Sequence, residues 1–311
     1  MRRAKKSEVP SGGVPELLGA HVSTQGGVQA APARGVEIGA SAIQVFTKTP
    51  NQWRDPVITP ESREAFRTAW DACGIRSIVA HDSYLINLAS PDSTLRERSI
   101  ASFIAELERC AYLGIPAVVS HPGNFMDDRD AGLTRNAVAY AHCLERVPGI
   151  KVLVETTAGT GTSLGSTFEE LAGLRDRMPA RLGDRIGFCA DTCHLYSAGH
   201  DLVADFDGVW ERWQRIIGLE HLGCLHLNDS KTPFASRRDR HELIAEGSLG
   251  AEPFRRIMRD PRFASVPKIL ETPKGDDLVT NDRRMLRRLR TYARARLVGA
   301  TEPTQRRSRR V

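Results

Sequence analysis

Eight short apolar segments alternate with longer amphipathic segments along this 311-residue chain, and no other feature of the sequence limits the fold as strongly. The apolar segments have the length and composition of buried strands. They span 17–23, 41–46, 76–81, 116–121, 151–155, 185–191, 222–227 and 268–271. Strands that alternate with helices lie parallel and are buried on both faces. Eight such units in a row predict an α/β fold with a closed (β/α)₈ barrel, the TIM barrel, rather than an open doubly wound sheet.

The segments between these strands show helical periodicity. Within 60–74, for example, Phe66, Ala69 and Trp70 recur at helical spacing, and Gly74 stands where a helix C-terminal cap belongs. We predict seven helices on this basis, over 60–74, 93–114, 134–147, 167–175, 205–217, 251–259 and 282–296.

The net charge of +6 is unevenly distributed along the chain. Residues 1–10 and 300–311 each have a net charge of +3, whereas the part between them is neutral. Such basic ends either contact nucleic acid or are only solvated, and both interpretations stay open. We predict one barrel domain over 16–297. The segments on either side of it, 1–15 and 298–311, are predicted to be basic, disordered tails.

Composition narrows the class of protein. Hydrophobic residues make up 41% and charged residues 26%, which argues against a disordered, collagen-like or disulfide-scaffold chain. No apolar run reaches the length of a membrane span, and the basic start is not followed by the apolar segment of a secretory signal. The six cysteines form no CxxC pair, as expected of free thiols in a reducing compartment. We therefore expect a cytoplasmic protein that is not bound to membranes.

Histidines and carboxylates collect at the carboxyl ends of the predicted strands, where TIM barrels hold their active sites. Imidazole and carboxylate ligands suit Zn²⁺, Mn²⁺ or Fe²⁺. Packing this many ionisable groups around one cavity is costly unless cations neutralise the carboxylates. We therefore predict a site for divalent metal ions that is built from the strand ends and the loops that follow them: His81, His121, Glu155, Asp191, His194, His226, Asp239, His241 and Glu271.

Nine strings of residues carry a resemblance to a known family. In order, and over about 17–290, they resemble the endonuclease IV family of apurinic/apyrimidinic (AP) endonucleases. The strings are GAHVSTQGG (19–27), QVFTKTPNQW (44–53), HDSYLINL (81–88), HPGN (121–124), ETTAGTGT (155–162), DTCHLYSAGHD (191–201), HLNDSK (226–231), DRHELIAEG (239–247) and ETP (271–273).

The resemblance implies a TIM barrel with three zinc ions, or Mn²⁺ or Fe²⁺ as substitutes. Such an enzyme hydrolyses the phosphodiester 5′ to an AP site in double-stranded DNA during base excision repair. The products are a 3′-hydroxyl and a 5′-deoxyribose phosphate, and blocked 3′ ends are also trimmed. A metal-bound hydroxide is the implied nucleophile. The family members act as monomers, which are associated with the nucleoid when bound to DNA.

The family's metal ligands match nine positions of this chain. His81 and His121 are the implied ligands of one metal, and Glu155 bridges it to a second. Asp191, His226 and Glu271 complete the ligand set of the second metal. The ligands of the third metal are then His194, Asp239 and His241. Two of them are the implied catalytic residues: Glu155 sets the separation of the first two metals, and we hypothesise that Glu271 orients or deprotonates the attacking water.

Contacts to DNA are predicted at six positions of these strings: His21, Lys48, Asn51, Tyr84, Asn228 and Lys231. Tyr84 is either a wedge beside the extruded nucleotide or an ordinary aromatic residue of the rim. Four residues depart from the commonest family pattern, namely Asn51, Thr156, Thr160 and Ala245. None removes an implied ligand, so these departures leave the reaction class unchanged and the substrate preference open.

Two other functions stay open. A metal-dependent sugar isomerase or epimerase uses the same barrel, but its chemistry has no need for the third set, His194, Asp239 and His241. A non-catalytic DNA-binding protein would use the basic tails as its active surface and the barrel as a scaffold. The intact ligand set disfavours this second alternative.

Overall fold

The structure is a computed structural model that describes residues 16–294. Eight parallel strands form a closed barrel. They are β1 (Leu18–His21), β2 (Ala42–Phe46), β3 (Ser77–His81), β4 (Ala117–Ser120), β5 (Lys151–Glu155), β6 (Ile186–Asp191), β7 (Leu222–His226) and β10 (Lys268–Leu270), and their order around the barrel is β1-β10-β7-β6-β5-β4-β3-β2. Two short strands between β7 and β10, β8 (Asp229–Ser230) and β9 (His241–Glu242), pair antiparallel outside the barrel. The predicted TIM barrel is confirmed.

Nine α-helices lie among the described residues, and seven of them match the predicted ones. They are α1 (Ala31–Ile38), α2 (Pro60–Asp71), α3 (Ser93–Leu113), α4 (Arg129–Arg146), α5 (Phe168–Asp176), α6 (Thr192–Ala198), α7 (Phe206–Ile216), α8 (Glu252–Arg259) and α9 (Thr280–Arg294). The prediction missed α1 and α6; α6, with seven residues, is too short for a clear periodic pattern. It also began α4 five residues late, because the side chain of Asp128 caps the helix by accepting the Ala131 N–H.

The predicted basic tails, 1–15 and 298–311, lie outside the described residues, as does the predicted end of the domain at 297. Between residues 16 and 294, no helix combines the length and hydrophobicity that a membrane span requires.

The barrel interior has an aliphatic layer with a polar layer above it. Side chains of a strand alternate between its two faces, so a residue two positions later points into the barrel again. The lower layer, which we call the floor, is formed by Ala42, Val79, Ala117, Val119, Leu153, Cys189, Cys224 and Ile269. Seven of these floor residues are followed, two positions later in the sequence, by a polar residue of the upper layer. The upper layer consists of Gln44, His81, His121, Glu155, Asp191, His226 and Glu271. The pleat of the strands therefore carries the ionisable residues to one end of a closed barrel.

Ala245, one of the departures from the family pattern, lies in the loop before α8 with a φ of 63°. This left-handed conformation costs a residue with a Cβ about 1 kcal/mol, and glycine adopts it freely. We expect Ala245→Gly to raise the free energy of unfolding by less than about 1 kcal/mol, because greater freedom of the unfolded chain offsets part of the gain.

Urea denaturation of both proteins measures this difference. Ala65→Gly, at an exposed position inside α2, is the matched control and should lose about 1 kcal/mol. Equal losses in the two variants would contradict the strain assigned to Ala245.

Candidate metal centre

Three groups of side chains at the carboxyl end of the barrel are each compact enough to hold a metal ion. Within each group, one donor atom per residue lies within 4.8 Å of all the others. Glu155 belongs to two of the groups, which links them. The first group is His81, His121 and Glu155, the second is Glu155, Asp191, His226 and Glu271, and the third is His194, Asp239 and His241. The structure thus brings all nine implied ligands together, in the sets that the resemblance implies.

Glu155, at the end of β5, is the centre of this arrangement and is completely buried. Its Oε2 lies 3.2 Å from His81 Nε2 and 3.2 Å from His121 Nε2. Its Oε1 lies 3.0 Å from His226 Nδ1 and 3.3 Å from His194 Nδ1. Burial alone would raise the pKa of Glu155, but the charges of His226 and His121 and hydrogen bonds from His121 and His194 hold that pKa well below its ordinary value. One carboxylate therefore contacts imidazoles from all three groups.

The imidazoles show how strongly this end of the barrel attracts positive charge. Burial opposes protonation of His81, yet the hydrogen bond and charge of Glu155, followed by the charge of Asp82, raise its pKa to about 9. Burial likewise opposes protonation of His194 and His226, and nearby negative groups raise both pKa values well above the ordinary value. A site that holds protons this firmly suits cations, because the same carboxylates stabilise either.

Backbone carbonyls orient the rings of three of these histidines. The Nδ1 atoms of His81, His194 and His241 lie 2.9, 2.8 and 3.2 Å from carbonyl oxygens. Donation of Nδ1–H to these carbonyls leaves Nε2 as the free donor atom, which is the usual arrangement around a metal ligand. The three accepting carbonyls belong, respectively, to Asp82, Thr156 and Glu271.

The third group contains buried nitrogens without a hydrogen-bond partner among residues 16–294. Nε2 of His194 and Nε2 of His241 each lie 3.2 Å from an oxygen of Asp239. Neither contact has the geometry of a hydrogen bond. Buried polar atoms are rarely left unpaired, and nitrogen and oxygen atoms that face a common point are expected of ligands to one cation. The residues of this group therefore fit a metal ion, and their donor set is typical of zinc.

The sequence DTCH (191–194) links the second and third groups through the start of α6. Asp191 is the N-cap of this helix, and its Oδ1 accepts the N–H of His194 at 2.8 Å. The other oxygen, Oδ2, lies 3.6 Å from His241 Nε2. Because the Asp191 side chain caps the helix, His194 is held in the first turn beside Asp239. This is why an aspartate and a histidine three residues apart reach adjacent sites.

Asn228, predicted to contact DNA, is completely buried and holds the second group in place. Its Nδ2 donates to Asp191 Oδ2 at 2.6 Å, and its Oδ1 accepts the Glu271 N–H at 2.8 Å. Asn228 is therefore a positioning residue in this structure, because its amide has protein partners on both sides.

Gln44, which was not among the predicted site residues, is also completely buried at this site. Its Nε2 donates to Glu271 Oε1 at 2.6 Å, and its Oε1 accepts from His226 Nε2 at 2.8 Å. Because His226 donates to Gln44 through Nε2, its Nδ1 faces the carboxylates. Gln44 lies in the middle of β2, so a search of whole strands for polar residues among the apolar ones, rather than of strand ends for ligand types, would have found it.

The other predicted DNA contacts divide into buried or partly buried positions and exposed ones. His21 Nδ1 lies 3.3 Å from Glu271 Oε1, and burial lowers the pKa of His21. Lys48 is buried, and its ammonium donates to Asp55 Oδ1 at 2.9 Å, so its charge is neutralised inside the protein rather than offered to a phosphate. Exposed residues at the rim are Asn51, Tyr84 and Lys231, and Tyr84 is 69% exposed.

A network of ion pairs, in which Lys48, Arg109 and Glu106 are buried and Asp55 is exposed, anchors the loop that carries Asn51. Arg109 of α3 donates to Asp55 Oδ1 at 2.8 Å, to Glu106 Oε2 at 2.5 Å and to Thr47 Oγ1 at 2.9 Å. Lys48 joins the network through Asp55. At the tip of the same loop, the Pro50 carbonyl accepts the N–H of Tyr84 at 3.1 Å. The loop 47–55 is thus tied both to α3 and to the neighbouring rim loop.

The fold and this cluster define the class of the protein. A family model described as a xylose isomerase-like TIM barrel matches residues 32–289. In the crystal structure of endonuclease IV from Thermus thermophilus, 36% of the residues are identical and the TM-score is 0.79, over 89% of this chain and 98% of that one. A D-tagatose 3-epimerase-like protein has a TM-score of 0.64 at 18% identity, over 88% of this chain and 98% of that one, which shows the fold alone.

Sequence relatives narrow the class to one family. A probable endonuclease 4 of Geobacter sulfurreducens is 48% identical over 267 residues, which are 84% of this chain and 90% of that one. A probable endonuclease 4 of Chloroflexus aurantiacus is 47% identical over 280 residues, which are 88% of this chain and 97% of that one. The chain belongs to the endonuclease IV family, and the resemblance read from its motifs is confirmed.

The contacts of Asn228 predict how replacing this residue will affect metal binding. We expect Asn228→Ala to weaken zinc binding about 10- to 100-fold, because Asp191 and the Glu271 backbone lose the amide that holds them together. Competition with a fluorescent zinc chelator measures the affinity.

Asn136→Ala is the control for this variant. Asn136 is equally buried, but its amide donates to the Pro122 carbonyl and to no ligand side chain. Zinc affinities that fall equally in the two variants would show that general destabilisation, and not positioning, causes the loss.

Proposed function

We propose that this protein is a zinc-dependent AP endonuclease. It hydrolyses the phosphodiester 5′ to AP sites in double-stranded DNA, leaves a 3′-hydroxyl and a 5′-deoxyribose phosphate, and trims blocked 3′ ends. The observation that carries the proposal is the set of three groups joined through Glu155, with the nine implied ligands in three compact sets. Relatives named probable endonuclease 4, at 45–48% identity, support the same reaction.

The residues of the first group would hold one metal and those of the second group another, with Glu155 common to both sets. His194, Asp239 and His241 would hold the third. Zinc ions, when bound, lower the pKa of water and neutralise negative charge on the phosphodiester and its leaving oxygen.

Glu271 is the residue we assign to the attacking water. Its side chain is 18% exposed at the mouth of the barrel, whereas Glu155 is fully buried. Gln44 and His21 lie within hydrogen-bond distance of its Oε1, and these contacts fix the direction of the carboxylate. Glu271 therefore orients the water and accepts its proton from a preset position.

Two open spaces beside the metal groups suit the DNA strand. A cavity of about 480 Å³ is lined by His121, Asp239, Arg238 and Arg240 among others. Its two arginines supply positive charge for a phosphate next to the third group. A narrower cavity of about 110 Å³ lies between His121 and the exposed ring of Tyr84. We propose that the scissile phosphate enters between these spaces and that Tyr84 contacts the neighbouring base.

A sugar isomerase or epimerase remains the second candidate because members of that class share the barrel. One observation counts against it. The donor set of the third group does not include Glu155; it adds two imidazoles whose Nε2 atoms face Asp239, and ketose chemistry has no need of it. A non-catalytic scaffold is disfavoured because oriented rings and unpaired buried nitrogens serve no packing purpose.

Duplex DNA with a single AP site tests the proposed reaction. We expect a nick on the 5′ side of the site, a 3′-hydroxyl that a DNA polymerase extends, and about three zinc ions per chain by elemental analysis. Removal of zinc by a chelator should abolish nicking, and added zinc should restore it. A fully metal-loaded protein that leaves this DNA intact but converts a ketose would establish the second candidate instead.

Glu271→Gln separates the chemical step from DNA binding. We expect turnover to fall at least about 100-fold while affinity for AP-site DNA changes little, since the neutral amide keeps the shape of the side chain. Single-turnover nicking and fluorescence anisotropy measure the two quantities, and metal analysis checks that zinc is retained.

Glu64→Gln, on the exposed face of α2, is the control and should match the unaltered protein in both assays. If turnover and binding of Glu271→Gln fell in proportion, the residue would act in binding rather than in the chemical step.

A further inference from the structure

Two cysteines of the floor lie directly below the second metal group. Cys189 of β6 and Cys224 of β7 are partners in the register of these neighbouring strands. Two residues further along, Asp191 and His226 are partners in the same way. Both thiols are completely buried and neither forms a disulfide. A pair of sulfur atoms thus lies one layer beneath a carboxylate and an imidazole of the candidate metal centre.

The thiols and one ring of the centre form a compact donor set of their own. The two sulfur atoms and a ring nitrogen of His226 all lie within 4.8 Å of one another. The remaining floor positions are Ala42, Val79, Ala117, Val119, Leu153 and Ile269, which have no donor atoms in their side chains. Within the floor of the described barrel, metal-binding atoms are therefore confined to the paired positions on β6 and β7.

Packing does not require sulfur at these two positions. Alanine and valine fill equivalent floor positions on β2, β3 and β4, so a small apolar side chain suffices there. None of the three metal groups that we assign to the reaction includes either thiol. Two thiols beside an imidazole form a soft donor set, which selects cations such as Cu⁺ and Cd²⁺, whereas the carboxylates above them favour harder ions.

We propose that Cys189, Cys224 and His226 form a fourth cation site, specific for thiophilic ions. Because His226 belongs both to this set and to the second group, a cation held by the thiols competes with that group for the imidazole. A thiophilic ion that enters from the mouth of the barrel would therefore inhibit the enzyme by removing a ligand from its metal centre. The site itself does not depend on the proposed reaction.

Titration of the zinc-loaded protein with Cd²⁺ tests this site. We expect a sulfur-to-cadmium charge-transfer band in the ultraviolet, one tightly bound cadmium per chain after gel filtration, and release of zinc. The band should be lost in Cys189→Ala and in Cys224→Ala. Cys143→Ala, which removes a buried thiol of α4, should keep it. The readouts are absorption and metal content, so failure of the site and failure of the proposed nuclease reaction are distinguishable.

Inhibition provides a second readout. The Cys224→Ala variant should nick AP-site DNA normally without cadmium, and should need at least about tenfold more Cd²⁺ for half-inhibition. If Cys224→Ala melts at a lower temperature than the unaltered protein, Cys224→Val takes its place in this assay, because valine fills more of the space that the thiol leaves. Absence of the band in the unaltered protein, or its persistence in either single variant of the pair, would overturn the proposal.

Discussion

The active end of this protein depends on one buried carboxylate. Glu155 has no access to solvent, and four imidazoles surround its two oxygens at 3.0–3.3 Å. A buried carboxylate is stable only when partners compensate its charge, so the rings of His81, His121, His194 and His226 have to converge on it. The carboxylate in turn holds together groups that come from separate strands, and the spacing of all the candidate metal sites follows from that convergence.

The barrel explains why residues so far apart in sequence meet. Each strand alternates between its two faces, and an inward floor residue is followed two positions later by an inward polar one. Strands β2 to β7 and β10 all follow this rule, from Ala42 and Gln44 to Ile269 and Glu271. A closed barrel then allows the polar layer only one location, the carboxyl end. Because the order of the strands in the chain is also their order around the barrel from β2 to β7 and β10, the residues of the first group and of the second group come from neighbouring strands.

Much of the fold and of the candidate metal centre was predictable from the sequence. The eight strands have strong, regular patterns, and a histidine or carboxylate at the end of a strand has a forced location once the barrel closes. Hydrogen-bond partners were harder to predict. Asn228 stands in a loop string that suggests substrate contact, yet its completely buried amide bonds the Asp191 side chain and the Glu271 backbone. Lys48 looks like a phosphate ligand, but its partner Asp55 is brought to it only by the folded loop. Gln44 was missed because an amide is not a metal ligand.

The anchored loop between Thr47 and Asp55 bears on the energetics of the proposed DNA binding. Arg109, Lys48 and two carboxylates hold it in the free protein, and Pro50 ties it to the backbone beside Tyr84. A flexible loop would lose conformational entropy on docking, and that loss would weaken the affinity. Here most of the ordering has already been achieved during folding. Under the proposed function, the rim loop offered to DNA is therefore preorganised, and little of the contact free energy is spent on ordering it.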